Sequence, residues 1–73
     1  MNLTIDIGNT RTKFGFFQEK ELVEKIIIEK WTLSDLKKLV SNQNLENIIC
    51  SSVKTVNKRM VNYLNQHWYF LNL

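Results

Sequence analysis

The chain has no proline, one cysteine, one histidine and two glycines in 73 residues, and each scarcity removes a class of answer. A single cysteine forms neither an intramolecular disulfide framework nor a four-thiolate zinc site, and His67 has no second histidine to join it around a metal. With no proline-rich or glycine-rich tract, low-complexity segment or internal repeat, nothing marks a linker, so the chain is at most one domain. Its size is near the lower limit at which an apolar core alone offsets chain entropy. No run approaches the roughly 18 consecutive apolar residues that a membrane helix needs. Asp6 interrupts the first apolar segment, which therefore lacks the continuous core of a signal peptide. Together with the near absence of thiols, this points to a reducing, cytoplasmic setting with no membrane partner.

What is present is ordinary for a folded soluble protein: 44% hydrophobic and 23% charged residues, a balance that argues against disorder, collagen-like repeats and coiled coil. Ten basic residues against seven acidic ones leave a net charge of +3. The basic residues are scattered from Arg11 to Arg59 rather than gathered in a stripe, so they read as solvated surface and no nucleic-acid partner is expected.

Periodicity supplies the organisation. Asn2 to Ile7 alternates, with Leu3, Ile5 and Ile7 on one face and Thr4 and Asp6 on the other, which is the period of a strand. Arg11 to Gln18 reads as a second strand, with Phe14 and Phe16 on one face. Leu22 to Glu29, with Ile26-Ile27-Ile28, reads as a third. Thr32 followed by Asp35 is an acidic form of a capping box, and Leu33, Leu36, Leu39 and Val40 share a helical face, which predicts a helix over 33–42. Ile48-Ile49-Cys50 is a continuous apolar run of the kind seen in a strand buried on both faces. Val56, Met60 and Leu64 recur at helical spacing and predict a helix over 55–66, and His67 to Leu71 predicts a final strand. Right-handed crossovers then make the later strands parallel to the first. The expected fold is α/β, with order β-β-β-α-β-α-β and a mixed five-stranded sheet in strand order 3-2-1-4-5. That is the ribonuclease H-like layout of actin-like ATPase and sugar kinase lobes.

In such a sheet Asp6 lies near the carboxyl end of the central strand, the edge at which open α/β sheets bind ligands. A charge there wants a cation, amide donors or solvent. Gly8 offers a positive φ and close backbone approach, Asn9 tolerates left-handed conformations, and Thr10 brings a hydroxyl. Successive amides in such a turn can form an anion-binding nest. Lys13, two residues beyond Arg11 on the same expected strand face, brings an ammonium towards the turn. On the residues alone the same stretch reads equally as an ordinary hairpin turn whose amides Asp6 accepts. Elsewhere, Cys50 reads as a small buried hydrophobe. Ser51 and Ser52 read as the cap of the second helix, with reach into a cleft as the alternative. Trp68, Tyr69 and Phe70 read as core or interface, and His67 as surface.

The segment DIGNTRTK, Asp6 to Lys13, resembles the first phosphate-binding motif of the type III pantothenate kinases, in both letters and nearness to the initiator methionine. NIICSSV, Asn47 to Val53, is similar to that family's next parallel strand. The resemblance implies ATP-dependent phosphorylation of pantothenate, the first committed step towards coenzyme A, by homodimers using magnesium and a monovalent cation, potassium or ammonium. Carried over, Asp6 would orient magnesium through water. Ile7, Gly8, Asn9, Thr10, Arg11, Thr12 and Lys13 would form the ATP-binding segment, with Gly8 to Thr10 around the terminal phosphates and Lys13 adding charge. The family's later aspartate base and Gly-x-Asp-Arg pantothenate segment have no counterpart here. Residues 1–73 are therefore expected to be the N-terminal lobe of a longer two-lobed enzyme, inactive alone and with its catalytic base beyond Leu73. The alternative is a non-catalytic actin-like or ribonuclease H-like regulatory module, similar to Bvg accessory factors.

Overall fold

Burial along Asn2–Ile7 follows polarity residue by residue: Leu3, Ile5 and Ile7 are buried, Asn2 and Thr4 are half-buried, and Asp6 is exposed. This is the signature of a strand with one face against a core. In the computed structural model, which describes all 73 residues, it is β1. The other elements are β2 (Thr12–Gln18), β3 (Glu21–Ile28), α1 (Leu33–Ser41), β4 (Asn47–Ser52), α2 (Lys58–His67) and β5 (Tyr69–Asn72). One sheet runs in the order β3-β2-β1-β4-β5, as expected. β1 is antiparallel to β2, with Ile5 opposite Phe14 and Asp6 opposite Lys13, and parallel to β4, with Ile5 beside Cys50 and Asp6 beside Ser51. β5 adds in parallel to β4 through Ile48 and Phe70. At the other end, β2 and β3 join through Glu19-Lys20, where Glu19 takes φ 57° so that the tight turn follows the strand twist.

Both helices cover the same face of this sheet. Leu36 and Val40 of α1 and Met60 and Leu64 of α2 share one buried cluster with Leu3, Ile5, Ile7, Phe14, Phe16, Ile48 and Cys50. The alternate residues Asp6, Lys13, Ile49, Ser51 and Leu71 are exposed on the opposite face. The expectation that β4 is buried on both sides therefore fails at Ile49, which is 41% exposed between the buried Ile48 and Cys50. The apolar run reflects β-propensity, and no helix packs over its second face.

The capping box at α1 forms as read: the Asp35 amide donates to Thr32 Oγ1 at 3.2 Å and the Thr32 amide donates to Asp35 Oδ2 at 2.9 Å. α2 begins later than the spacing suggested. Asn57 caps it, its Oδ1 accepting the Arg59 amide at 2.8 Å. Val56 packs against the core from just outside the helix, so helical spacing continued through a residue that is not helical. Neither serine is the cap. Ser51 is exposed on the uncovered face, and Ser52 Oγ accepts the Lys54 amide at 3.1 Å and donates to the Lys54 carbonyl at 2.6 Å, which shapes the loop before the helix. At the far end His67 belongs to α2 and Trp68 is its C-cap, its amide donating to the Leu64 carbonyl at 3.0 Å. The last strand accordingly starts at Tyr69, two residues after the aromatic run begins. No helix is long and apolar enough to cross a membrane.

The capping assignment is checked by urea unfolding. Asn57→Ala is expected to cost about 1 kcal/mol, whereas Ser51→Ala stays within about 0.5 kcal/mol of the parent.

Candidate functional site

β1 ends at Ile7 and β2 begins at Thr12, and these two residues face each other in the ladder, so Gly8-Asn9-Thr10-Arg11 is a short hairpin loop. Its base is closed by the Gly8 amide donating to the Arg11 carbonyl at 2.9 Å. Gly8 does not use the positive φ expected of it. What favours glycine is proximity: a Cβ at this position would stand 3.0 Å from the Arg11 carbonyl oxygen, a tight contact. Asn9, Thr10 and Arg11 are exposed. On the other side of β1 the Val53 amide donates to the Ile7 carbonyl at 3.1 Å, so the chain leaving β4 is held against the same strand end.

The candidate residues divide between the two sides of this loop. Asp6 and Lys13 are cross-strand neighbours on the uncovered sheet face, both exposed. Asp6 makes no side-chain hydrogen bond and no ion pair, the chain's one salt bridge being between the Met1 ammonium and Glu46 at 3.1 Å. Arg11 does not share a strand face with Lys13. It lies in the loop and lines a cavity of about 360 Å³ on the helix side, together with Gly8 and Thr10. Ile7 and Thr12 also border this cavity, but their side chains are only 6% and 3% exposed. They build the strand ends and leave only backbone for a ligand.

The opposite walls of the cavity come from residues the sequence reading did not assign to a site: Glu29, Lys30, Trp31 and Thr32 before α1, and Lys54, Thr55 and Asn57 before α2. Arg11, Lys30 and Lys54 outnumber Glu29, and both helices begin here. Side-chain charge and helix amides therefore favour an anion. Trp31 Nε1 donates to Thr12 Oγ1 at 2.9 Å, and its ring meets Phe14 edge-on at 5.4 Å and 74°. The available signal for Trp31 was its place immediately before the capping Thr32, which brings the start of α1 beside the β1–β2 loop.

Among these residues no three His, Cys, Asp or Glu side chains gather as a metal cage. The donor set does fit magnesium in its usual nucleotide role, since magnesium commonly takes one or two carboxylates and completes its shell with phosphate oxygens and water. The single exposed carboxylate of Asp6 beside an anion-favouring loop is such a set.

A family model for type III pantothenate kinase matches residues 2–72. The chain belongs to that family. Its role is accordingly of the pantothenate kinase type in coenzyme A biosynthesis, within a family of ATP-using kinases. No curated protein matches the chain.

Cys50, next to this strand end on β4, is fully buried, and its thiol is pushed up from 9.0 to about 11, first by burial and second by the Asp6 carboxylate. A raised folded pKa means that the unfolded chain loses the proton first. The stability from the neutral thiol is therefore complete below pH 9 and is lost as pH rises towards about 11. Urea midpoints of the parent and Cys50→Ala, followed against pH, are expected to differ by a constant amount below pH 9. The parent's advantage should shrink between pH 9 and about 11; a constant difference across that window would show that the thiol is not held neutral by the fold.

Proposed function

We propose that residues 1–73 form the nucleotide-binding part of a kinase that transfers the terminal phosphoryl group of ATP to pantothenate. The observation that carries this reading is Asp6: an exposed carboxylate without a hydrogen-bond or ion-pair partner, at the carboxyl end of the central strand and two residues before the Gly8–Arg11 loop. In the plain hairpin reading Asp6 accepts the turn amides. Here the turn closes backbone to backbone through Gly8 and Arg11, which leaves Asp6 unengaged.

Phosphoryl transfer asks mainly for positioning and for stabilisation of spread negative charge. In this reading the exposed loop amides of Asn9 and Thr10 and the Thr10 hydroxyl orient the terminal phosphates. Arg11 from the cavity side and Lys13 from the sheet face bring positive charge to the two flanks of the loop. Asp6 would hold a hydrated magnesium ion at the loop, and that ion would neutralise part of the phosphate charge. Ile7 and Thr12 set the loop's two ends. No residue of 1–73 is given to the monovalent cation, the homodimer contact or the catalytic base, and this segment binds nucleotide rather than turning it over.

Calorimetric titration of magnesium-ATP into the parent chain and Asp6→Asn tests the proposal. The parent is expected to bind saturably. The variant should bind roughly tenfold or more weakly, because a charge-assisted contact is lost, while its unfolding free energy stays within about 0.5 kcal/mol, as for other exposed sites. Equal affinities would show that Asp6 is a surface residue of a non-catalytic module.

A further inference from the structure

We propose that Trp31 is a positioning residue for the β1–β2 loop and acts through Thr12, an inference that rests on the nucleotide role of that loop. Thr12 is where loop becomes strand. It pairs with Ile7, and the residue before it, Arg11, accepts the Gly8 amide. Thr12 is only 3% exposed, and its hydroxyl accepts the Trp31 indole N–H at 2.9 Å. No other side-chain hydrogen bond in the molecule reaches residues 7 to 13. The indole is itself fixed twice, by its N–H on Thr12 and by its ring edge-on to Phe14, which is 1% exposed.

Trp31 also immediately precedes the Thr32 cap of α1 and forms part of the cavity wall facing Arg11. Both ends of the loop are therefore held by the sheet ladder, and the Thr12 end is tied in addition, through its side chain, to the start of a helix. The three exposed residues between carry no further side-chain anchor. A loop held at both ends loses less conformational freedom when a phosphate orders it, so cutting the tie is expected to weaken binding as well as the fold.

Three variants separate positioning from packing. Trp31→Phe keeps an aromatic ring against Phe14 and removes the donor. Thr12→Val keeps the shape and removes the acceptor, and Thr12→Ser keeps the hydroxyl. Magnesium-ATP affinity and urea stability of the 73-residue chain are measured for the parent, these variants and the Trp31→Phe/Thr12→Val pair. Trp31→Phe and Thr12→Val are each expected to weaken binding about five- to tenfold, the scale of one lost hydrogen bond with a buried partner left unmet. The pair should be no weaker than the weaker single variant, because both cut the same tie, and Thr12→Ser should remain within about twofold of the parent. Thr12→Val that binds as tightly as the parent while losing stability would overturn the proposal, as would additive losses in the pair. Should Thr12→Val not fold, Trp31→Phe decides alone, and unchanged affinity there overturns it. A parent chain that binds no nucleotide overturns the underlying reading and this one with it, a result distinct from equal binding by parent and variants.

Discussion

β1 is hydrogen-bonded to β2 on one side and to β4 on the other, and its Leu3, Ile5 and Ile7 are locked into the one core the molecule has. In so small a chain this leaves little freedom for where the strand ends. A register slip of one residue would turn those three side chains to solvent and bring Asp6 into the core unpaired, a change opposed by both apolar burial and charge desolvation. The position of Asp6 at the carboxyl end of the sheet is thus a consequence of the alternation in Leu3-Thr4-Ile5-Asp6-Ile7. The loop that follows inherits it, because Ile7 and Thr12 must face each other.

From that fixed end the site is assembled by segments distant in sequence. The chain leaving β4 is drawn in through Val53 on the Ile7 carbonyl, and the chain entering α1 through Trp31 on Thr12. The result is two unlike flanks on one loop: Asp6 and Lys13 on an open sheet face, and Arg11 with Lys30 and Lys54 around a cavity beneath two helix starts. The proposed nucleotide role uses this division: phosphate oxygens would meet the amides and cations, and a bound divalent cation the Asp6 carboxylate.

Much of this was legible in the residues. Strict alternation in β1, the capping box at Thr32 and Asp35, and helical spacing around Leu36 and Leu64 each obey a local rule, and crossover handedness then leaves few sheet orders open. The misplaced helix ends share one cause: local pattern continued past a boundary set by tertiary contacts. Val56 keeps helical spacing with Met60 and Leu64, yet Asn57 starts the helix. His67 and Trp68 have strand-like neighbours, yet the helix runs on until the Trp68 amide closes on Leu64. Ile49 looks like core, but both helices lie on the other face. Gly8 looked like a conformational need and is a need for space. Trp31 stands before a readable helix cap, but its pairing was not legible because its partner is nineteen positions away, and no local periodicity encodes a pairing between a loop end and a helix start.

The central claim is that the short loop after β1, and not the scattered lysines, receives a nucleotide's phosphates. Backbone amide chemical shifts of the labelled chain, followed through a titration with magnesium-ATP, test it most directly. The account predicts saturable shifts that are largest at Gly8, Asn9, Thr10 and Arg11 and near zero at the Glu19-Lys20 turn, which lies at the other end of β2. Small shifts spread over lysine-bearing segments, with the Gly8–Arg11 amides unmoved, would contradict it.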